Sequence, residues 1–370
     1  MEKMVVTPWE VSGKMNYQKL IDEFGLETMK ELPEVFNKNV LFRRKIIFAN
    51  RGIGKILNAI KNKEKFVIMT GLMPTGEMHI GHMILIQQLV FWQSLGAKIY
   101  IAVADIEAYT TRGQSLEKSK EKALEYIKNY IAIGLKPKDC EIYFQSQRSG
   151  DAKKSNAYYR LQNVFSGHTT FNEFKGVYGE ITPGKMQASL LQASDMFHAQ
   201  LPEFEGEVPT LIPVGIDQDP HIRLARGISK RIKEYKFSQI SSTYHTFLPG
   251  LKNAKMSASD ETSYISLTDD AKTVKKKINK YAFSGGQETT EEHREKGGNV
   301  EVDVACQWLK YFEHDDEKLA EIYDKYSKGE LLSGEVKAIL IDKINEMLSG
   351  HQERRKDAEK DFGKFIYKIN

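Results

Sequence analysis

The chain has 370 residues, 41% hydrophobic and 28% charged, with a formal net charge of +4. That is an ordinary globular composition, long enough for two or three domains and too mildly basic to announce a nucleic-acid partner by itself. Cys140 and Cys306 lie far apart without CxxC spacing, the segment Met1 to Glu10 lacks the regions of a signal peptide, and no apolar run approaches the ~20 residues of a membrane helix. The expectation is a soluble protein of the reducing cytoplasm, with no disulfide framework, no cysteine zinc site and no membrane segment.

Residues 17–62 have helix-like apolar spacing and no convincing strand, so a helical N-terminal extension is expected over residues 1–64. Within it Lys38, Arg43, Arg44, Lys45, Arg51, Lys55, Lys61, Lys63 and Lys65 face a single acid, Glu64. Such a segment could hold a phosphate backbone, or it could be a solvated face whose counter-charges come from elsewhere in the fold. Residues 65–70 form a compact apolar strand, residues 71–76 a glycine and proline loop, residues 80–95 a helix, and residues 98–104 a second strand. Strand, loop, helix, strand is the βαβ unit of a parallel sheet.

A long amphipathic helix follows over residues 115–135, a third strand over 141–145, and a fourth over 211–215 leading into a helix over 219–232. The fold class is therefore α/β, a doubly wound parallel sheet of the Rossmann-like type over residues 65–268. Helical periodicity then dominates 269–370. It begins with Thr268-Asp-Asp270 as a cap for a helix to Tyr281, which Ser284-Gly-Gly286 breaks.

Two short motifs carry chemistry. In Pro74-Thr-Gly-Glu-Met-His-Ile-Gly-His82 the loop after the first strand delivers His79 and His82 to a helix start, where imidazoles and free backbone N–H groups converge on anionic oxygens. Gly81 would let a flat purine ring lie on the backbone. Two histidines three apart could instead be metal ligands or plain surface residues. Lys255-Met-Ser-Ala-Ser259, after Pro249-Gly250, puts a lysine in a loop suited to reach polyphosphate as charge moves onto it.

Together these motifs resemble the HIGH and KMSKS signatures of class I aminoacyl-tRNA synthetases. Gly215-Ile-Asp-Gln-Asp-Pro220 resembles the signature that the tryptophanyl group carries between them. Ala282-Phe-Ser-Gly-Gly286, residues 297–303 and His351-Gln-Glu-Arg-Arg355 resemble blocks of its archaeal and eukaryotic branch, as do Thr7-Pro-Trp-Glu10 and Tyr17-Gln-Lys-Leu-Ile21. The resemblance implies activation of L-tryptophan with ATP and Mg²⁺, transfer to tRNA(Trp), and a homodimer. The interface would lie in an inserted segment of about 115–206, and the C-terminal helices from 269 would bind the anticodon.

It further implies catalytic roles for His79, His82, Lys255 and Ser257, and ATP contacts from Thr75, Gly76, Gly81, Met256 and Ser259. No metal site of the protein's own is implied. Where the commoner KMSKS signature has a second lysine this chain has Ala258, which leaves the phosphate chemistry to Lys255.

By position Glu107, Gln192 and Gln218 match residues that hold the substrate's amino group, with Met69, Gly71 and Asp195 completing the amino-acid site. A carboxylate and amide oxygens suit an ammonium group. The tyrosine and glutamine that read the indole N–H in the eukaryotic branch correspond here to Met69 and Ala102, which cannot do so. Asp195 is the substitute, matching the aspartate of the bacterial branch. Tyrosyl enzymes place an aspartate at the same point, so Asp195 alone does not separate the two substrates; a thioether at Met69 suits an indole. Met69 could also be ordinary core, and Asp195 a helix cap. The rival readings are a tyrosyl enzyme, a nucleotidylyltransferase without tRNA, and a regulatory RNA-binding paralogue, the last of which would be expected to lose His79, His82 or Lys255.

Overall fold

The computed structural model describes residues 16–256 and 260–365, together with the backbone of a two-stranded ladder of β1 (Val5–Val6) and β2 (Val11–Ser12). Thr7-Pro-Trp-Glu10 lies outside the described residues, as do Ser257, Ala258 and Ser259.

The main sheet contains β3 (Glu27–Thr28), β4 (Ile47–Arg51), β5 (Val67–Leu72), β6 (Lys98–Val103), β7 (Cys140–Phe144), β8 (Thr210–Gly215) and β9 (Ser241–His245), in the order β3-β4-β9-β8-β5-β6-β7. The five strands from β9 to β7 are parallel, as expected of a doubly wound core. Two findings correct the sequence reading. β3 and β4 pair antiparallel at one edge, so residues 17–62 carry strands as well as helices. β9 was not expected, because it reads as polar.

Strand alternation divides the core into two layers. Ile68, Leu72, Ile99, Ile101 and Val103 face one side, where they pack with the helices Ile80–Ser94 and Leu116–Ile133 and run on into the C-terminal helices through Trp308 and Leu340. Val67, Met69, Tyr100, Ala102 and Tyr143 face the other side, under the helices Ala152–Gly167, Pro183–Phe197 and Asp219–Ser229.

The C-terminal blocks are fastened to this core by side chains. On the helix Ser333–Asp361, His351 Nε2 meets Asn129 Oδ1 at 2.9 Å, Gln352 donates to the Leu267 and Asp269 carbonyls, and Arg354 donates to Ala132 O at 2.7 Å. Asp270 caps the helix Ala271–Tyr281, and Asp303 caps the helix Val304–Phe312 while accepting from Gly285 N–H and Tyr326 OH. Gly297 has φ +71°, and a Cβ there would meet Ser327 O at 1.8 Å, so only glycine fits.

Part of the basic segment is internal wiring. Arg43 and Arg44 pair with Asp316, Arg51 with Asp219, and Lys65 with Glu205. For these four residues the counter-charges do come from elsewhere in the fold.

Candidate active site

The chain runs β5, β6, β7 outward from the middle of the sheet and then returns to build β8 and β9 on the other side of β5. The crevice beyond the carboxyl ends of β5 and β8 is therefore a topological switch point, where open α/β sheets bind ligands. A cavity of about 520 Å³ opens there, within the range of small-molecule and cofactor sites.

At one end lie Thr75, His79, Gly81 and His82, with Lys255 and Met256 from the later loop. His79 is the N-cap of the helix Ile80–Ser94. Its Nδ1 accepts from Gly81 N–H at 3.2 Å, and His82 Nδ1 accepts from His79 N–H at 3.1 Å. Each imidazole thus spends its acceptor nitrogen on the backbone, which leaves the proton on Nε2 as a donor. Burial, and next the neighbouring His82, push His79 down to about 2; burial pushes His82 down to about 4. Both rings are neutral donors at physiological pH.

The segment beyond the lysine loop is stitched to this helix start by Ile80 N–H to Ile265 O and Leu267 N–H to Met78 O, both 3.1 Å. Met256 Sδ lies 3.0 Å, and the His79 ring 3.1 Å, from where a Cβ on Gly81 would stand. Gly76 does not line the cavity, but its carbonyl accepts from Tyr126 OH at 3.1 Å, which anchors the loop.

Lys255 Nζ lies 3.3 Å from Asp217 Oδ2 and 5.2 Å from the centre of the Phe247 ring. Asp217 is buried, which raises its pKa against the pull of Lys255. It was not singled out from the sequence, although it stands inside the quoted Gly215–Pro220 block. Phe247 N–H in turn donates to Tyr17 OH at 3.0 Å, so the N-terminal helix Tyr17–Phe24 reaches the same corner.

At the other end lie Met69, Gly71, Glu107, Gln192, Asp195 and Gln218. Met69 is 2% exposed and belongs to the core while lining the cavity. Glu107 has its pKa raised to about 7, first by burial and then by the charge of Asp195, with Arg112 pulling the other way. Asp195 is not a cap. Its carboxylate accepts from Tyr143 OH and Tyr158 OH, both 2.6 Å, and from Gln145 Nε2 at 2.8 Å. Burial raises it to about 6 in spite of these donors. Arg112, Gln145, Tyr143 and Tyr158 were all missed by sequence reasoning.

Among the described residues no group of three or more His, Cys, Asp or Glu could hold a metal ion, so the two histidines are not part of such a cluster. Nor is any helix among them long and apolar enough to cross a membrane.

A neutral-donor cradle with a lysine at one end and carboxylates with amides at the other can hold a polyphosphate against an amino acid. Comparison with known proteins agrees: residues 61–349 match the family described as tRNA synthetases class I (W and Y), and the chain belongs to that family. It is 42% identical to a tryptophan–tRNA ligase of Methanocaldococcus jannaschii, over 97% of each chain. Among solved structures it is similar to a tryptophanyl-tRNA synthetase of Aeropyrum pernix, with 39% identity, a TM-score of 0.89, and 95% and 96% of the two chains covered. It is likewise similar to that of Plasmodium falciparum, with 34% identity, a TM-score of 0.84, and 95% and 97% covered.

Proposed function

We propose that this chain is a tryptophan–tRNA ligase. A carboxylate oxygen of L-tryptophan attacks the α-phosphorus of ATP, the bond to the bridging oxygen breaks, and pyrophosphate leaves. A ribose hydroxyl of the terminal adenosine of tRNA(Trp) then attacks the activated carbonyl and AMP departs. The observation that carries this reading is that one cavity is lined both by His79, His82 and Lys255 and by Glu107, Gln192 and Asp195.

No protein nucleophile is needed, so catalysis is positioning and charge stabilisation. The Nε2–H groups of His79 and His82 donate to phosphate oxygens, and Gly81 carries the purine in place of the Met256 sulfur. Lys255 exchanges Asp217 for the departing pyrophosphate. Thr75, Gly76, Ser257 and Ser259 complete the nucleotide site by resemblance to the family. Mg²⁺ would be held by the ATP triphosphate and would supply further neutralisation of its charge.

Glu107, Gln192 and Gln218 take the substrate ammonium, Met69 and Gly71 border the indole, and Asp195 accepts its N–H. The unit 65–268 does this chemistry, with 1–64 as its extension, and the helices from 269 take the anticodon. Two copies pair through the segment 115–206, where Leu116 and Phe171 are exposed, and the tRNA partner implies a cytoplasmic enzyme.

The test is acylation of a tRNA(Trp) transcript with each amino acid in turn. Charging by tryptophan alone is expected; adenylate formation with no transfer to the transcript would sink the ligase reading and favour a nucleotidylyltransferase.

A further inference from the structure

The carboxylate of Asp195 is fully committed on one oxygen and half committed on the other. Oδ1 accepts from both Tyr143 OH and Tyr158 OH at 2.6 Å, which uses its two lone pairs, while among the described residues Oδ2 accepts only from Gln145 Nε2 at 2.8 Å. Two of the donors, Gln145 and Tyr143, are themselves held. Gln145 Oε1 accepts from Glu107 N–H at 3.3 Å, which fixes which end of the amide faces Asp195. The Tyr143 ring lies 4.0 Å from the Arg148 guanidinium, which is buried among Tyr100, Tyr143 and Phe204. Arg148 also donates to His198 Nε2 at 2.8 Å, so the His198 proton sits on Nδ1 and goes to the backbone carbonyl of Asp195 at 2.8 Å.

We propose that Tyr143, Tyr158 and Gln145 are positioning residues for substrate selection: they close three acceptor sites of Asp195 and leave one, on Oδ2, for a ligand that donates an N–H. This rests on the reading of Asp195 as the acceptor of the indole. A carboxylate held this way is an acceptor only, and both tyrosine hydroxyl protons are spent on it, so neither is left for a ligand oxygen that must accept as well. An indole N–H asks for an acceptor and nothing more.

The test is the ratio of the dissociation constants of β-benzothienylalanine, in which sulfur replaces the N–H, and tryptophan, measured against pH. The groups facing Asp195 that also titrate or carry charge are Glu107, Tyr143, Tyr158 and Tyr159, Arg148 and His198, and His221 lines the same cavity. Both ligands carry the same ammonium, so the effect of Glu107 on its binding cancels in the ratio.

In the wild type the ratio should be about ten- to a hundredfold in favour of tryptophan at pH 8, as a hydrogen bond to a charged acceptor gives. It should fall towards unity as Asp195 takes up a proton near pH 6. Tyr158→Phe and Tyr143→Phe keep their rings and each remove one donor from the ionised carboxylate, so each should move that midpoint up by about one pH unit. A midpoint unmoved in both variants would overturn the positioning role while leaving Asp195 as reader. A ratio flat with pH in the wild type, and unchanged in Asp195→Asn, would overturn the reading of Asp195 and the proposal with it.

Discussion

Glu107 is the residue whose replacement separates stability from function most sharply. Its carboxyl has a pKa of about 7 in the folded chain, against an ordinary 4.5, because burial and then the Asp195 charge disfavour its ionised form. A raised carboxyl pKa means that the folded state binds the proton more tightly than the unfolded chain does. The stabilising contribution is therefore fully present below pH 4.5 and is lost as pH rises through 7. A shift of about 2.5 units corresponds to about 3 kcal/mol at ~1.36 kcal/mol per unit, an upper bound for a half-buried group facing a cavity.

Glu107→Gln should therefore raise the melting temperature at pH 8 and leave it nearly unchanged at pH 4. The same substitution removes the anion expected to meet the substrate ammonium, so tryptophan affinity at pH 8 should fall about ten- to more than a hundredfold. Calorimetric melting at the two pH values and titration calorimetry with tryptophan measure both effects. A Glu107→Gln chain that melts lower at pH 8, or that binds tryptophan as tightly as the wild type, would refute the reasoning.

Lys255→Ala should lower the turnover of ATP–pyrophosphate exchange by about a hundredfold or more while tryptophan binding stays intact, because its charge is needed as pyrophosphate leaves; an equal loss of tryptophan affinity would count against this. Gly81→Ala brings a Cβ within 3.0 Å of the Met256 sulfur. The flexible methionine gives way, so folding should survive, but the KM for ATP should rise roughly ten- to a hundredfold as the purine loses its flat floor. Arg51→Ala deprives the fully buried Asp219 of one of its two arginine partners, and denaturant unfolding should show a loss of about 2–3 kcal/mol. Binding of tRNA should not change, since this part of the basic segment is internal wiring.

The parts of the fold that were legible in the sequence are local. β5, β6, β7 and β8 are short apolar runs, and the loop to His79 announces itself by its glycines and by the helix that follows. β9 was illegible because Ser241, Ser242 and Thr243 look like loop residues, yet they are buried in the middle of the sheet with two of their hydroxyls satisfied. Ser241 Oγ donates to Gly52 O and Ser242 Oγ to Tyr244 OH. β4 was masked by the helical spacing on either side of it.

The same distinction holds in the site. His79, Gly81, His82 and Lys255 sit in contiguous motifs, and resemblance to the family named Glu107, Gln192, Asp195 and Gln218, all of which line one cavity. The donors that govern Asp195 come from strand β7, the loop after it and the helix Ala152–Gly167, and no spacing rule connects them. Nor does sequence spacing reveal that Arg44 and Arg51 find their acids in Asp316 and Asp219, far along the chain.

The most direct measurement is ATP–pyrophosphate exchange with each amino acid in turn, without tRNA, compared as kcat/KM. Exchange driven by tryptophan, with tyrosine lower by orders of magnitude, is the expected result. Exchange with tyrosine at a comparable kcat/KM would contradict the assignment of this cavity to tryptophan.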